Sequence, residues 1–411
     1  MLAILTTHPI QYQVPLWREL VRRGVPLEVW YLSDHGHRMA LDREFGQEFS
    51  WDIEMLGGYS HRLLETHPTN PDIGTFRGAR IGSLLSLFRS RRITALMING
   101  WIPQAYWQAA FQAHREKIPV LLRGETNDLR KVMLLKNIAK RCLLKSLFRR
   151  ISVFLTVGVA NRRFYSMYGI PENKMVPAPY CVDNNRFSEA AKALRPDRGE
   201  LRARWGIPNE STCFLFCGKL IEKKRVQDLI QAFEMLVTKD NEYRLRVPIH
   251  LLIVGDGALR EMIQAKADCL RDRVGRTCVT LTGFLNQSEM PKAYAAADCL
   301  VLPSDAGETW GLVVNEAMAS GLPAIVSDQV GCAADLIEPT ITGDIFPMSD
   351  CEKLATIMVK WVDTSRCHSV QVSVEKKIAG YSIARAADGI LTGLERARFF
   401  ENNPASTGVI P

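Results

Sequence analysis

No window of the chain approaches the ~18 uninterrupted apolar residues that a spanning helix needs. A membrane-crossing helix is therefore not expected. The opening stretch, Met1 to Tyr12, lacks a basic lead-in and a small-residue cleavage pattern. It reads as a first strand and not as an export signal, so a cytosolic protein is expected. The ten cysteines are scattered singly, and the closest pair, Cys213 and Cys217, sits inside an apolar run. With no Cys-x-x-Cys and no Cys/His cluster of ligand spacing, no structural metal is expected. Internal repeats and low-complexity tracts are missing, and aromatic residues, 8% of the chain, are not interleaved with its basic runs. No nucleic-acid partner is expected.

What is present is enough sequence, 411 residues, for two domains that each bury a core. The net charge of +8 is uneven: residues 1–190 carry +10 and the remainder −2. An anionic surface or substrate met outside a nucleotide site would thus meet the first half. Short apolar runs alternate with amphipathic stretches throughout (LAILTT then VPLWRELVRR; TALMIN then PQAYWQAAFQAHR; VFLTVG then ANRRFYSMYG), the pattern of parallel βαβ units. The text turns polar near residues 185–205 and the pattern restarts: strands at 213–217, 249–254, 278–281, 298–302 and 323–326, with helices at 225–238, 258–270, 288–296 and 311–320. Such sheets bind ligands beyond the carboxyl ends of their strands.

Gly218-Lys219-Leu220-Ile221-Glu222-Lys223-Lys224 begins where a strand ends. A glycine permits the tight turn, and two cations on a short loop can close on a diphosphate; a solvated basic turn would read the same way. Pro303-Ser304-Asp305-Ala306-Gly307-Glu308-Thr309-Trp310-Gly311 runs from a strand into a helix whose free amides lie near Gly311 to Val313, a ready phosphate site. Glu308 and Glu316 suit hydroxyls of sugars on either side of that diphosphate. The alternative makes Glu308 a helix cap and Glu316 a surface residue.

The order of these segments with Val254-Gly255-Asp256-Gly257, Leu281-Thr282-Gly283-Phe284, Ala297-Asp298 and Glu308-x7-Glu316-Ala317-Met318-Ala319-Ser320-Gly321-Leu322-Pro323 resembles the donor domain of family 4 retaining glycosyltransferases, over residues 213–346. The resemblance implies the α/β GT-B fold, two doubly wound Rossmann-like domains facing a central cleft. Residues 1–190 would bind acceptor, 191–380 would bind a nucleotide-sugar donor, and 381–411 would hold a helix crossing back to the first domain. It further implies that Lys219 and Lys224 grip the diphosphate and that Glu316 holds the ribose. Glu308 and the amides around Trp310, Gly311 and Leu312 would hold the transferred sugar, with Val313 also among the donor-binding residues. Phe284 would lie beside the base, and Gly218, Gly255 and Gly257 would form the turns beneath. No cofactor or metal is implied beyond the nucleoside-diphosphate sugar itself, in keeping with the absence of an Asp-x-Asp pair.

The first half departs from the family. Thr7-His8-Pro9-Ile10-Gln11-Tyr12-Gln13 replaces its glycine-rich loop, and Leu122-Arg123-Gly124-Glu125-Thr126 stands where many members carry an active-site histidine. His8, Arg123 and Glu125 are thus the acceptor-side candidates. The acid-free run Arg130–Arg150 pairs eight cations with an apolar stripe of Leu134, Leu135, Ile138, Cys142, Leu143, Leu147 and Phe148. It could rest on an anionic membrane surface, or pack its stripe on its own sheet. The implied reaction is a metal-independent, retaining, hexosyltransferase-like transfer to a glycan or lipid-linked acceptor hydroxyl in cell-surface polysaccharide biosynthesis. A nucleotide-sugar 2-epimerase and a catalytically silent binding subunit are the alternatives.

Overall fold

The computed structural model describes residues 1–35, 40–42, 47–129, 134–238, 245 and 247–401, with backbone alone at 40–42, 47–49 and 134–140. It divides into two compact units. The first comprises Met1–Ala40, Glu54–Tyr180 and Ser382–Pro411, the second Leu41–Ile53 and Cys181–Tyr381.

The first unit is built on strands β1 (Leu2–Thr6), β2 (Leu27–Tyr31), β3 (Ser60–Leu63), β4 (Ala95–Asn99), β5 (Val120–Arg123), β6 (Val153–Thr156) and β7 (Met175–Pro177). They form one parallel sheet in the order β7-β6-β5-β4-β1-β2-β3. Its central strands are buried on both faces, which is why they read as unbroken apolar runs and not as alternation. Helices α1 (Val14–Arg22), α2 (Gln104–Arg115), α3 (Leu134–Phe148) and α4 (Val159–Met167) supply crossovers.

In α3, Leu144, Leu147 and Phe148 enter the core of this unit, while Cys142 and Leu143 are exposed. Of the described stripe residues, Leu147 and Phe148 are thus spent inside the fold and Cys142 and Leu143 are not, with Arg141, Lys145 and Arg149 left on the surface. Arg130 and Lys131, and the side chains of Leu134, Leu135, Lys136, Ile138 and Lys140, lie outside the described residues. Among the described residues no helix is long and apolar enough to cross a membrane.

The second unit carries β8 (Thr212–Cys217), β9 (Ile249–Val254), β10 (Val279–Gly283), β11 (Cys299–Leu302), β12 (Ala324–Ser327) and β13 (Gly343–Phe346), parallel and in the order β10-β9-β8-β11-β12-β13. Order reverses between β8 and β11, the switch point where such sheets open a crevice. The unit begins before residue 190, because helix Asn184–Leu194 packs on helices Met290–Ala296 and Leu312–Ala319. At the opposite pole from the crevice, buried Asp298 accepts from Arg198, Arg202, Arg366 and the amide of Cys213, fixing the entry to β11.

The last helix, Ile383–Arg396, returns to the first unit. It packs on α1, β6 and β7 and is pinned by an ion pair between Arg23 and Asp388. Its Gly389 lies so close to the end of β7 that a Cβ there would stand 2.0 Å from the Pro177 carbonyl oxygen.

Candidate functional site

Three loops at the carboxyl ends of β8, β9 and β11 are laced together by backbone hydrogen bonds. The Leu220 amide donates to Asp256 O (2.8 Å), Leu259 to Leu220 O (2.9 Å) and Asp305 to Lys223 O (2.9 Å), while Gly255 donates to Gly283 O at the end of neighbouring β10 (2.9 Å). The turns demand glycine for a steric reason. Gly255 has φ +140°, and a Cβ there would stand 1.9 Å from Gly218 O. Gly257 faces Leu220 O in the same way. The segment from Gly218 to Lys224 is therefore seated on the turn Gly255–Gly257 and does not trail into solvent.

Lys224 is ion-paired with Glu308, both side chains nearly enclosed, and Ser304 Oγ donates to the same carboxylate at 3.2 Å. Burial pushes the Glu308 carboxyl up, but the charges of Lys224 and Lys223 and the hydrogen bonds from Lys224 and Ser304 outweigh it, so it lies below the usual range. Glu308 does not cap the helix that follows. Helix Leu312–Ala319 starts at Gly311, a left-handed residue with φ +97°, and has no side-chain cap. The amides of Leu312 and Val313 thus begin a helix without a competing side chain. Trp310 is buried, its Nε1 donating to Asn315 Oδ1 at 2.8 Å.

Glu316 is 1% exposed, so it is no surface residue; Tyr294 donates its hydroxyl to Glu316 Oε2 at 2.5 Å. Its charge, with burial as the larger cause, drives the neighbouring Cys217 thiol well above its ordinary pKa. Lys219 is half-buried on the first of the three loops. Phe284, just after β10, lies 6.5 Å from the ring of Trp51. Sequence reasoning missed Trp51. The segment carrying it belongs to the second unit, where Asn286 Nδ2 donates to Ser50 O (2.8 Å), and the amide and hydroxyl of Ser288 donate to Asp52. Nothing local to Trp51 signals such long-range partners.

In the first unit, a cavity of about 180 Å³ opens beyond the carboxyl ends of β1, β4 and β5, and Thr6, Asn99, Trp101, Arg123, Glu125 and Tyr180 line it. It brings together Arg123 and Glu125 of the sequence candidates but not His8. The His8 ring instead meets His35 edge-on at 5.5 Å, with Thr7 Oγ1 3.0 Å from its Nδ1. Burial, then the charge of His35, pulls His8 down to about 4, so it is neutral at physiological pH. Among the described residues no group of three or more His, Cys, Asp or Glu could hold a metal ion.

Residues 197–371 match the family described as Glycosyl transferases group 1. An uncharacterized glycosyltransferase of Methanocaldococcus jannaschii is 31% identical over 183 residues, 43% of this chain and 42% of that protein. A D-inositol 3-phosphate glycosyltransferase of Kineococcus radiotolerans is 25% identical over 261 residues, 61% of this chain and 58% of that one. These matches span about half the length of the curated relatives. Among solved structures, Anabaena HepE in complex with UDP and glucose aligns over 96% of this chain and 99% of its own, with a TM-score of 0.65 and 16% identity. That likeness shows the fold, GT-B.

Proposed function

We propose, from the premise that the chain is a family 4-like protein of GT-B fold, that it transfers a sugar from a nucleoside diphosphate to an acceptor hydroxyl. The second unit holds the donor and the first the acceptor. The observation that carries the reading is that Lys219, Lys224 and Glu308, on loops at the carboxyl ends of β8 and β11, share the switch-point edge of one sheet with the uncapped start of the helix that carries buried Glu316. Cations and helix amides receive the diphosphate, while carboxylates accept hydroxyls. Support also comes from the relatives' names and from the UDP and glucose bound to HepE.

In this mechanism Lys219, Lys224 and the amides of Gly311, Leu312 and Val313 neutralise the β-phosphate as it leaves. Glu316 takes the ribose hydroxyls, Glu308 those of the transferred sugar, and Phe284 lies beside the base. The bond from the anomeric carbon to the phosphate oxygen breaks with its electron pair on that oxygen. The acceptor hydroxyl oxygen bonds the anomeric carbon on the same face, and its proton passes to the departing phosphate oxygen. Retention follows, and the fixed positive charge at the leaving group is the main catalytic aid. No resident metal or cofactor is invoked. The acceptor is a glycan or lipid-linked sugar of cell-surface polysaccharide assembly, reached from the cytoplasmic side; Arg141, Lys145 and Arg149 are exposed cations that could meet an anionic headgroup there.

The test is thermal stabilisation by UDP, GDP, ADP and their sugars, followed by product analysis. A ligand at a hundred times its Kd raises stability by about 2.7 kcal/mol. One nucleotide series should stabilise the chain, and the product should contain a glycosidic linkage. No stabilisation by any nucleotide would refute the donor site, and a free epimer would replace transfer with epimerisation.

A further inference from the structure

We propose that the cavity of the first unit receives an anionic group of the acceptor, a carboxylate or a phosphate, with Arg123 as its counter-ion. This rests on the reading of the first unit as the acceptor side. Arg123 ends β5 and is 3% exposed. Its guanidinium is permanently charged and carries five donors in a planar fork. One of them, on Nη2, reaches Pro179 O at 3.1 Å, and the Tyr180 ring lies 5.2 Å from the guanidinium carbon. Nε is enclosed with no acceptor in reach. Among the described residues no carboxylate forms an ion pair with it: Asp128 is held in a two-point contact by Arg163 (2.8 and 3.2 Å), and Glu125, the one carboxylate lining the cavity, is exposed.

A buried cation without a counter-charge is costly, and it is retained where an anion arrives to meet it. The neighbouring strand adds a second polar group. Asn99 is the register partner of Arg123 at the end of β4 and lines the same cavity; its amide nitrogen donates to Gln13 Oε1 at 3.3 Å, while its Oδ1 is enclosed without a partner. A fork of N–H groups matches two oxygens of one carboxylate or phosphate, and the Asn99 oxygen can accept from an adjoining hydroxyl. Arg123 thereby selects a charged sugar, such as a uronate or a sugar phosphate, over its neutral counterpart.

The experiment is ligand-observed NMR titration of the full chain with whichever of UDP, GDP and ADP stabilises it present, using methyl glucuronide, glucose 6-phosphate and neutral methyl glucoside. The expected result is that at least one anionic probe binds roughly tenfold tighter than the glucoside, the size of a charge-assisted hydrogen bond. The stronger anionic probe identifies the group as carboxylate or phosphate. Arg123→Gln should erase the preference while affinity for that nucleotide stays. Should that variant not fold, Arg123→Lys carries the comparison, since losing the fork weakens the anionic probe and leaves the glucoside unchanged. No preference in the wild-type chain, or a preference indifferent to these substitutions, overturns the proposal. Failure of UDP, GDP and ADP alike to bind would instead count against the donor site.

Discussion

Lys224 and Glu308, 84 residues apart, close on each other as an ion pair, and Ser304 adds a hydrogen bond to the same carboxylate. The cation proposed for the diphosphate and the carboxylate proposed for the sugar are thus set by one another. Lys224→Met should cost roughly 2–4 kcal/mol of stability, because it strands an enclosed carboxylate. Adding Glu308→Gln should restore much of that stability and none of the activity. Chemical denaturation with kinetics on both single variants and the double variant checks this; purely additive losses of stability would contradict the coupling.

Lys219→Ala and Lys224→Ala should each lower kcat/KM by about 2–4 kcal/mol of transition-state stabilisation, roughly 30- to 1000-fold. Steady-state kinetics on folded protein decides it, and an unchanged kcat/KM in the double variant would remove both lysines from the leaving-group role.

The Glu308 pair predicts a pH dependence with a fixed sign. Its carboxyl is held below its ordinary value in the folded chain, so the unfolded chain binds the proton more readily. The stability it contributes is fully present above the unfolded pKa of about 4.3 and is lost as pH falls through the lower folded value. The Tm difference between wild type and Glu308→Gln should be level near neutrality and shrink below about pH 4. A gap that widened on acidification would reverse the assigned sign.

Glu316 and Glu308 should fail differently. Glu316→Ala should weaken plain UDP and UDP-sugar alike, and Tyr294→Phe, which removes the hydroxyl that holds Glu316, should reproduce part of the loss, about three- to tenfold. Glu308→Ala should spare UDP and impair only the sugar-bearing donor. Trp51→Ala should weaken UDP by two- to tenfold, about the worth of one aromatic contact. Calorimetric titration with both ligands separates these cases, and equal loss of UDP affinity in the two glutamate variants would dissolve the division of roles.

Gly255→Ala should be among the most damaging single changes, because its Cβ would meet a backbone oxygen at 1.9 Å and its φ is positive. A loss above about 3 kcal/mol is expected, against about 1 kcal/mol for Gly206→Ala, whose φ is +64° but whose surroundings are open. Similar melting temperatures for the two variants would deny that the Gly218–Gly255 approach is tight.

Much of the second unit was legible in sequence because its chemistry lies in short strand-loop-helix segments, where glycine, lysine and glutamate report on one turn at a time. The expected strand 249–254 and helix 311–320 match Ile249–Val254 and Leu312–Ala319 to within a residue at each end. Lys224 and Glu308, by contrast, each read as a group awaiting ligand, and their pairing is a tertiary event that no local pattern encodes. The same holds for Asn99 and Arg123, joined only by the register of β4 and β5, and for Trp51, which lies far in sequence from Phe284. His8 carried a loop-position signal that could not reveal His35 beside it.

The return of helix Ile383–Arg396 to the first unit has a consequence for synthesis on the ribosome. The unit whose strands emerge first is completed last, since α1, β6 and β7 wait for a partner encoded after the whole of Cys181–Tyr381. The second unit can close while the first still exposes the apolar surface that Ala386, Ala387, Ile390 and Leu394 will cover. A nonsense codon near residue 380 would therefore leave the second unit nearly whole and injure the amino-terminal one, the reverse of what its position in the gene suggests.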